Sequence, residues 1–263
     1  MVDENLEQIG LANKLIDYVV VDFSAPGGIN DAHLFQEVLQ QSIRLSQPVK
    51  IGGLIGQGGK NHLGKSDIDL LNKYSELSER VRQFYSPGAE IHLIGGDLHG
   101  LANGIENRGY LALMQERAQN LGLYWVMLST LYNEKGITLP SKEKVTAKTQ
   151  DGADREFHDW QYEVPAEIRL NLIQAARRHN IVGQDEYLDA FYYFVMRRQE
   201  ERVFVPDWTN HLFVINSSKD LAAWTFPKLI PQMYWYQTRH HGGKGSRDLN
   251  KELILSPPWF RND

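Results

Sequence analysis

The sequence predicts an α/β protein with a Rossmann-like, mostly parallel sheet and helices on both faces. Short apolar runs typical of buried strands alternate along the chain with longer segments whose apolar residues recur at helical spacing. This alternation favours parallel strands, because a parallel neighbour is reached only through a crossover, which is usually a helix. The 263 residues are enough for a large core, and we expect a single domain across residues 1–263.

The individual elements follow from periodicity and capping residues. Strands are predicted at five places, and a further apolar stretch lies near the end of the chain: Tyr18–Phe23, Pro48–Ile55, Ala89–Ile94, Leu123–Leu131, Leu212–Asn216 and Leu229–Tyr236. Helices are predicted at Glu4–Leu15, from Asn30 or Asp31 onward, at Asp67–Phe84 with Ser66 or Asp67 as cap, and at Tyr110–Leu121, Tyr162–His179 and Glu186–Arg197.

Two charged segments are predicted to face solvent. Residues 133–160 are polar and predict a solvated loop or insertion, whose length would also allow a mobile lid. The charged run Arg197–Arg202 predicts the solvated end of a helix, because charged side chains are rarely buried.

Composition excludes several kinds of chemistry. The chain contains no cysteine, which excludes disulfides, thiolate catalysis, cysteine-bound zinc and iron–sulfur clusters. The 28 basic residues against 33 acidic ones give a formal charge of -5, which argues against nucleic acid or an anionic membrane as a partner. The start of the chain lacks a secretory signal, and no window has the roughly 18 apolar residues of a membrane span. We therefore expect a cytoplasmic protein without a membrane partner.

The stretch Tyr85–Asn107 is predicted to carry part of a functional site. Ala89–Ile94 is predicted as a buried strand, and Gly95–Gly96 allow a sharp bend before Asp97 and His99. Open α/β sheets bind ligands beyond the carboxyl ends of their strands, so both side chains are expected in a site. His99 could transfer protons, and Asp97 could orient a substrate amine or a histidine. The structural alternatives are that Asp97 caps the following helix and that His99 is a hydrogen-bonded core histidine.

A glycine-rich segment follows the strand predicted at Pro48–Ile55. Gly58, Gly59 and Lys60 would let backbone amides approach a phosphate or carboxylate while the ammonium group neutralises its charge. Lys60 could also condense with a ketose carbonyl, because a desolvated lysine amine forms Schiff bases. The full spacing of a Walker loop is absent, and a flexible turn is the alternative.

A basic segment near the end of the chain supplies a second group of candidates. Arg239 and Lys244 suit a carboxylate or a phosphate, which arginine can bind through two N–H groups. His241 is a further substrate-binding candidate, and His240 could transfer protons near neutral pH. An exposed loop is the alternative for this segment.

Across Pro48–Leu131 and the C-terminal third, the order of features resembles the isocyanide synthases of the pyoverdine and dityrosine biosynthesis family. The features that carry the resemblance are Lys60, Asp67, the helix end at Tyr85–Ala89, the acidic turn at Asp97, Arg239–His241 and Pro258–Trp259. Two positions depart from the family pattern. The family's Phe-Pro-x-Lys segment before the helix is missing, since Leu54 stands near the position of its lysine, and Asp97–His99 stands where the family has an Asp-Gly turn.

The resemblance implies a Rossmann-like enzyme that converts the amine of an amino acid to an isonitrile with a sugar phosphate as carbon donor. The implied partners are these small molecules, and assembly into a homo-oligomer is left open. No cofactor and no metal are expected. The candidate catalytic residues are Lys60, Asp97, His99 and His240, and the candidate substrate-binding residues are Gly58, Gly59, Arg239, His241 and Lys244.

Three other functions stay open. Gly96–Gly100 matches the first metal-binding motif of calcineurin-like metallophosphoesterases, in which an Asp and a His help to hold two metal ions. The nearest candidates for that family's later motifs, Glu106–Gly109 and Arg178–Asn180, preserve neither of them. Cyclodipeptide synthases are Rossmann-like aminoacyl transferases that need a nucleophilic serine after an early strand, where this chain has Gly56–Asn61. The third alternative is a non-catalytic module that binds a small molecule.

Overall fold

A computed structural model of the chain describes residues 2–18, 30–56, 61–102, 105, 109–179, 185–215 and 226–234. Within these residues the chain forms an α/β fold around one sheet of five parallel strands, which confirms the predicted Rossmann-like class. The strands are β1 (Val49–Gly56), β2 (Ala89–Gly96), β3 (Tyr124–Met127), β4 (His211–Ile215) and β5 (Gln232–Tyr234).

The strand order β3-β2-β1-β4-β5 places β1 at the centre of the sheet. β1 pairs with β2 over its whole length, so Gly56 and Gly96 end the two strands side by side. On the other side of β1, Lys50 pairs with His211 of β4. The chain runs outward from β1 to β3 and then crosses back to the far side of β1. The strand order therefore reverses between β1 and β4, and open α/β sheets bind ligands beyond the carboxyl ends of the strands at such a reversal.

The helices of the described residues are α1 (Val2–Asp17), α2 (Ala32–Arg44), α3 (Lys65–Phe84), α4 (Asp97–Ala102), α5 (Gly109–Asn120), α6 (Leu128–Glu134), α7 (Lys142–Lys148), α8 (Arg155–His158), α9 (Ala166–His179) and α10 (Glu186–Trp208). A π-helical turn, Asp159–Glu163, follows α8. Within the described ranges, no helix is long and apolar enough to cross a lipid bilayer.

Helices cover both faces of the sheet, as predicted. On one face, α1, α2, α3 and α5 enclose a core that includes Ile51 and Leu93. On the other face, α4, α6 and α10 pack with Ile94 and Phe213. Neighbouring residues of a strand point to opposite faces, which is why Leu93 and Ile94 belong to different cores.

A third core lies away from the sheet and involves residues 133–160. This segment contains α7 and α8, and its Val145 and Trp160 are buried in a cluster with Phe191 and Phe194 of α10. The ring centroids of Trp160 and Phe194 are 5.4 Å apart. The prediction of a solvated loop is therefore wrong for these side chains, since the segment has its own apolar contacts. Movement of the segment as a lid stays a prediction.

One strand is shorter than its apolar run predicts. The strand predicted at Leu123–Leu131 ends at Met127, and α6 begins at the next residue. The Asp97 carboxylate accepts a hydrogen bond from the Ser129 backbone N–H there. This favours a helix start where apolar periodicity alone predicts a continuing strand. All but the first residue of the predicted strand Tyr18–Phe23 lie outside the described residues.

The helix starts follow the predicted capping chemistry with one difference. Asp31 caps α2, because its carboxylate accepts the backbone N–H groups of the second and third residues that follow it, each at 3.0 Å. The cap of α3 is Gly64 and not Ser66 or Asp67. Asp67 contributes from inside the helix, where its carboxylate accepts the Gly64 N–H at 2.8 Å.

The centre of β1 is packed directly between aromatic rings on both faces. A Cβ atom on Gly52 would lie 2.5 Å from Phe213, and one on Gly53 would lie 2.2 Å from the hydroxyl oxygen of Tyr74. Both rings are fully buried. Because these distances are far below van der Waals contact, only glycine lets the rings approach the strand so closely.

We expect Gly53→Ala to destabilise the fold, because the added methyl group would displace the buried Tyr74 ring. Overpacking of this kind costs about 1–3 kcal/mol, which urea unfolding would measure as a lower free energy of unfolding. Gly152→Ala is the control, because a Cβ atom at Gly152 meets nothing within 4 Å. Equal stability of the two variants would contradict the packing described for β1.

A group of basic and aromatic side chains lies at the amino ends of the strands, on the face covered by α10. The ring centroids of His92 and His211 are 5.1 Å apart, and His211 lies 4.5 Å from Trp208. Burial lowers the pKa of His211 to about 3, and the charges of His92 and Lys50 add to this effect. Burial also lowers the pKa of His92, against a smaller opposing effect of its hydrogen bond to Glu90.

The free energy of unfolding should therefore decrease as the pH falls below the ordinary histidine pKa of about 6.5. The unfolded chain takes up a proton on His211 near that pH, whereas the folded protein takes it up only near pH 3. The stability that the lowered pKa of His211 contributes is complete above the pKa of the unfolded chain. It is lost as the pH falls toward the pKa of the folded protein, and the loss at pH 5 is about 2 kcal/mol. Between pH 7 and pH 5, His211→Gln should lose less stability than the unchanged chain, as measured by urea unfolding at both pH values. An equal loss would contradict this assignment.

Candidate active site at the carboxyl edge of the sheet

His99 lies at the carboxyl ends of β1 and β2, where its position after a strand predicts it. β2 ends with Gly95 and Gly96, and the chain turns at once into the short helix α4, which begins at Asp97. A Cβ atom on Gly96 would lie 3.1 Å from His99 Nδ1 and 3.2 Å from the carbonyl oxygen of Ile55. The imidazole therefore lies against the strand ends, and the residue is only 5% exposed.

The Asp97 carboxylate joins α4 to α6. It is fully buried, and its Oδ1 accepts the backbone N–H groups of Leu98 and Ser129, each at 3.0 Å. Its Oδ2 accepts the Ser129 hydroxyl at 2.5 Å. Asp97 therefore caps α6 from a distant part of the chain, whereas the capping alternative is a cap of the helix that directly follows it. A role for Asp97 in orienting a substrate stays a prediction.

Helix α10 supplies three polar side chains around His99. His99 Nε2 is hydrogen-bonded to Glu200 Oε1, and Arg197 Nε lies 2.8 Å from the same carboxylate oxygen. The Arg197 guanidinium also donates to the Tyr193 hydroxyl at 3.2 Å. The Tyr193 ring in turn packs edge-on against His99, with ring centroids 5.7 Å apart. We refer to His99, Tyr193, Arg197 and Glu200 as the His99 cluster.

Burial dominates the electrostatics of the His99 cluster. Burial lowers the pKa of His99, and Arg197 adds to this, whereas the negative charges of Glu200 and Asp97 oppose it in part. For Arg197, burial is the largest single effect and would lower the pKa, but Glu200 and Tyr193 together outweigh it and raise the pKa above its usual value. The cluster therefore places a neutral imidazole, a proton acceptor, beside a permanently charged guanidinium.

Two buried atoms of the cluster, Arg197 Nε and Glu200 Oε2, have no hydrogen-bond partner among the described residues. The contact of Arg197 Nε with Glu200 is thus an ion pair without hydrogen-bond alignment. Among the described residues, this site contains the carboxyl groups of Asp97 and Glu200 and the guanidinium of Arg197. A buried carboxylate oxygen without a donor is the kind of atom that a bound water or a ligand's ammonium group satisfies.

The buried positions of Arg197 and Glu200 overturn the prediction that Arg197–Arg202 is a solvated helix end. α10 continues to Trp208, and the two residues are 6% and 0% exposed, respectively. Only part of the run, including Glu201, faces solvent. The prediction was wrong because it treated the run as one surface, whereas a helix turns successive residues to different sides.

The sequence does contain a signal for this burial. Phe204 and Trp208 continue the helical spacing of Arg197 and Glu200 beyond the charged run, and both are buried. Residues at such spacing share one helix face, so apolar residues after the run indicate that this face stays in the core. Nothing in the sequence alone indicates that His99 is the partner of Glu200, because 101 residues separate them.

The other predicted site residues lie outside the described residues: Gly58, Gly59, Lys60, Arg239, His240, His241 and Lys244. The glycine-rich segment follows Gly56, which ends β1 beside Gly96 at the end of β2. Of the nine candidates, the structure therefore describes Asp97 and His99, which it brings together on α4. The roles of the other seven stay predictions.

Within the described residues, no group of three or more histidine and carboxylate side chains could hold a metal ion. Both carboxylate oxygens of Asp97 accept hydrogen bonds from the protein, and His99 Nε2 is bonded to Glu200. The described part of the chain therefore offers the motif Gly96–Gly100 no third metal ligand.

Fold and site together define a Rossmann-like α/β protein with a buried histidine at the carboxyl edge of its sheet. No model of a known protein family matches the sequence, and no curated protein is significantly similar to it. The fold is similar to the crystal structure of the PvcA protein from Pseudomonas aeruginosa. The TM-score is 0.53 at 11% sequence identity, and the alignment covers 86% of this chain and 76% of PvcA. At this identity the similarity establishes a common fold alone.

A second solved structure is tyrosyl-tRNA synthetase from Pyrococcus horikoshii in complex with L-tyrosine. Its TM-score is 0.44 at 14% identity, and the alignment covers 92% of this chain and 66% of the synthetase. The chain thus spans about two thirds of that enzyme's length.

We expect Asp97→Asn and Ser129→Ala each to destabilise the protein, because each leaves buried polar groups without a partner. The expected loss is about 1–3 kcal/mol for each variant in urea unfolding. The double variant should lose less than the sum, since both changes remove the same interaction. Asp207→Asn is the control, because Asp207 is 56% exposed and pairs with Lys135 at the surface. Strictly additive losses would contradict the link between α4 and α6.

Proposed function

We propose that this chain is a biosynthetic enzyme of the isocyanide-synthase type, acting on an amino acid and a sugar phosphate. The observation that carries the proposal is the buried pair His99–Glu200 at the carboxyl edge of a Rossmann-like sheet. His99 lies within Pro48–Leu131, and Glu200 lies in the C-terminal third; these are the two parts of the sequence that resemble this family.

The fold is compatible with the proposal. PvcA, of the pyoverdine and isocyanide synthase family, has a similar fold at 11% identity. This similarity supports a biosynthetic enzyme's scaffold and leaves the substrate to the chemistry of the site.

The chemistry of the His99 cluster suits the first step of such a reaction. An amino acid carries an ammonium group, which must lose a proton before its nitrogen can attack a carbonyl carbon. A neutral imidazole can accept that proton. The amine nitrogen then bonds to the ketose carbonyl carbon, and the carbonyl oxygen leaves as water.

The remaining candidates have provisional roles in this proposal. Gly58, Gly59 and Lys60 would bind the phosphate of the sugar or, for Lys60, its carbonyl group. Arg239, His241 and Lys244 would bind the substrate carboxylate or the phosphate, and His240 would be a second proton-transfer group. Asp97 would hold α4, and thereby His99, in place.

The test is a product assay with purified protein, a panel of amino acids and ketose phosphates labelled at the carbonyl carbon. We expect a product that has gained one labelled carbon and lost two hydrogens relative to the amino acid, detected by mass spectrometry. His99→Asn should reduce the rate by about 10²–10⁴-fold, because it removes the proton acceptor. Lys60→Ala should also reduce it.

The control is Lys65→Ala. Lys65 follows Lys60 closely in the sequence, is highly exposed and pairs with Asp69 on the surface. It should keep the activity of the unchanged chain. Folded protein that forms no such product with any pair of substrates would contradict the proposal. Metal-dependent release of phosphate that requires Asp97 and His99 would instead support a phosphoesterase.

A further inference from the structure

We infer that Glu200 is a positioning residue for His99. It holds the imidazole as the Nε2–H tautomer and so presents Nδ1 as the proton-accepting atom, while Arg197 and Tyr193 hold Glu200 in place. The inference concerns the side chains alone, and only its activity measurement rests on the proposed function.

The tautomer follows from the geometry around His99 Nε2. A neutral imidazole carries one N–H, and a carboxylate accepts hydrogen bonds but cannot donate them. Glu200 Oε1 is the partner of Nε2, so the proton belongs on Nε2. Nδ1 then has the lone pair, and it lies against Gly96, which ends β2 at the carboxyl edge of the sheet, where ligands of such sheets bind.

A chain of contacts along α10 fixes the Glu200 carboxylate. Arg197 is one turn earlier on the same helix and lies 2.8 Å from Glu200 Oε1, and it donates to the Tyr193 hydroxyl one turn further back. The Tyr193 ring closes the arrangement by packing against His99. Each member of the cluster thus restrains the next, which is how outer partners orient a reactive histidine.

Arg197 also explains how an ionised carboxylate is tolerated at this depth. Glu200 is fully buried, and a buried carboxylate without a nearby cation would gain stability by becoming protonated. Arg197 Nε lies 2.8 Å from Glu200 Oε1, so the buried carboxylate that accepts from His99 Nε2 has a permanent cation beside it.

A purely structural role for the pair predicts something different. Buried ion pairs contribute little net stability compared with apolar side chains of similar size. A structural pair would affect unfolding without determining which ring nitrogen carries the proton. The protonation of the two ring nitrogens therefore separates the two roles.

The test is NMR of protein labelled with ¹⁵N-histidine, at a pH well above the ordinary histidine pKa of about 6.5. His99 is assigned by the signals that disappear in His99→Gln. We expect a protonated Nε2, an unprotonated Nδ1, and a slowly exchanging, strongly downfield Nε2–H proton. Glu200→Gln should abolish the downfield proton and produce a mixture of tautomers, because the amide can donate as well as accept.

Two further variants keep the test interpretable. Glu201→Gln is the matched control, since Glu201 is the adjacent, exposed residue and should leave the His99 spectrum unchanged. Glu200→Gln leaves the buried charge of Arg197 without its carboxylate partner, which could unfold the variant. The double variant Arg197→Gln/Glu200→Gln removes both charges and should fold while still lacking the downfield proton. Protonated Nδ1 in the unchanged chain, or a His99 spectrum that neither Glu200 variant alters, would overturn the inference.

Activity, where the product assay detects it, provides the second measurement. Glu200→Gln should reduce kcat by about 10–100-fold, a size typical of residues that orient a reactive group, with KM changed little. An unchanged kcat would overturn the inference. If the expected His99 spectrum is observed and no isonitrile forms, the proposed function fails and the positioning role of Glu200 stands.

Discussion

The parallel pairing of β1 with β2 on one side and β4 on the other is the constraint on which the rest of the structure depends. It brings the carboxyl ends of three strands to one edge, and it requires long crossovers, one of which contains α10. The glycines at the centre of β1 allow the aromatic rings of Tyr74 and Phe213 to approach the strand from opposite faces. Tyr74 belongs to α3, whereas Phe213 belongs to the neighbouring strand β4, and Trp208 of α10 would lie 3.3 Å from a Cβ atom on Gly52, so a helix approaches β1 closely on each face.

The His99 cluster combines local and distant parts of the chain. α4 contributes the imidazole through a sharp turn after β2, and α10 contributes the guanidinium of Arg197 and the carboxylate of Glu200, which is 101 residues from His99. Asp97 fixes the first of these elements by capping α6, so a residue at the site stabilises the backbone that holds the reactive side chain. This arrangement places rigid elements, and not loops, behind the histidine.

The fold class could be predicted from the sequence because it depends on repeated local patterns, and the resemblance to isocyanide synthases points to the same class. The site was predictable only in its local half. The turn at Gly95–Gly96 indicates where Asp97 and His99 lie, since the direction of a parallel strand determines which edge its end occupies. The partner Glu200 depends on how α10 crosses the sheet, and the charge of the run Arg197–Arg202 conceals which of its members are buried. Residues 133–160 illustrate the same limit, because polar composition hides the apolar contacts of Val145 and Trp160.

Helix α10 has a mechanical consequence for the protein. Lys142 of α7 binds Asp189 on the first turn of α10 at 2.7 Å, and Glu200 follows on the same helix about 16 Å further along its axis. Pro206, which removes one backbone hydrogen bond, lies beyond Glu200 and so does not interrupt the segment between these two residues. This segment therefore behaves as a stiff rod with the third core at one end and the histidine at the other. A shift of α7 would therefore move α10 and displace Glu200, the partner of the imidazole. The distance between the two ends is longer than any single side chain could span.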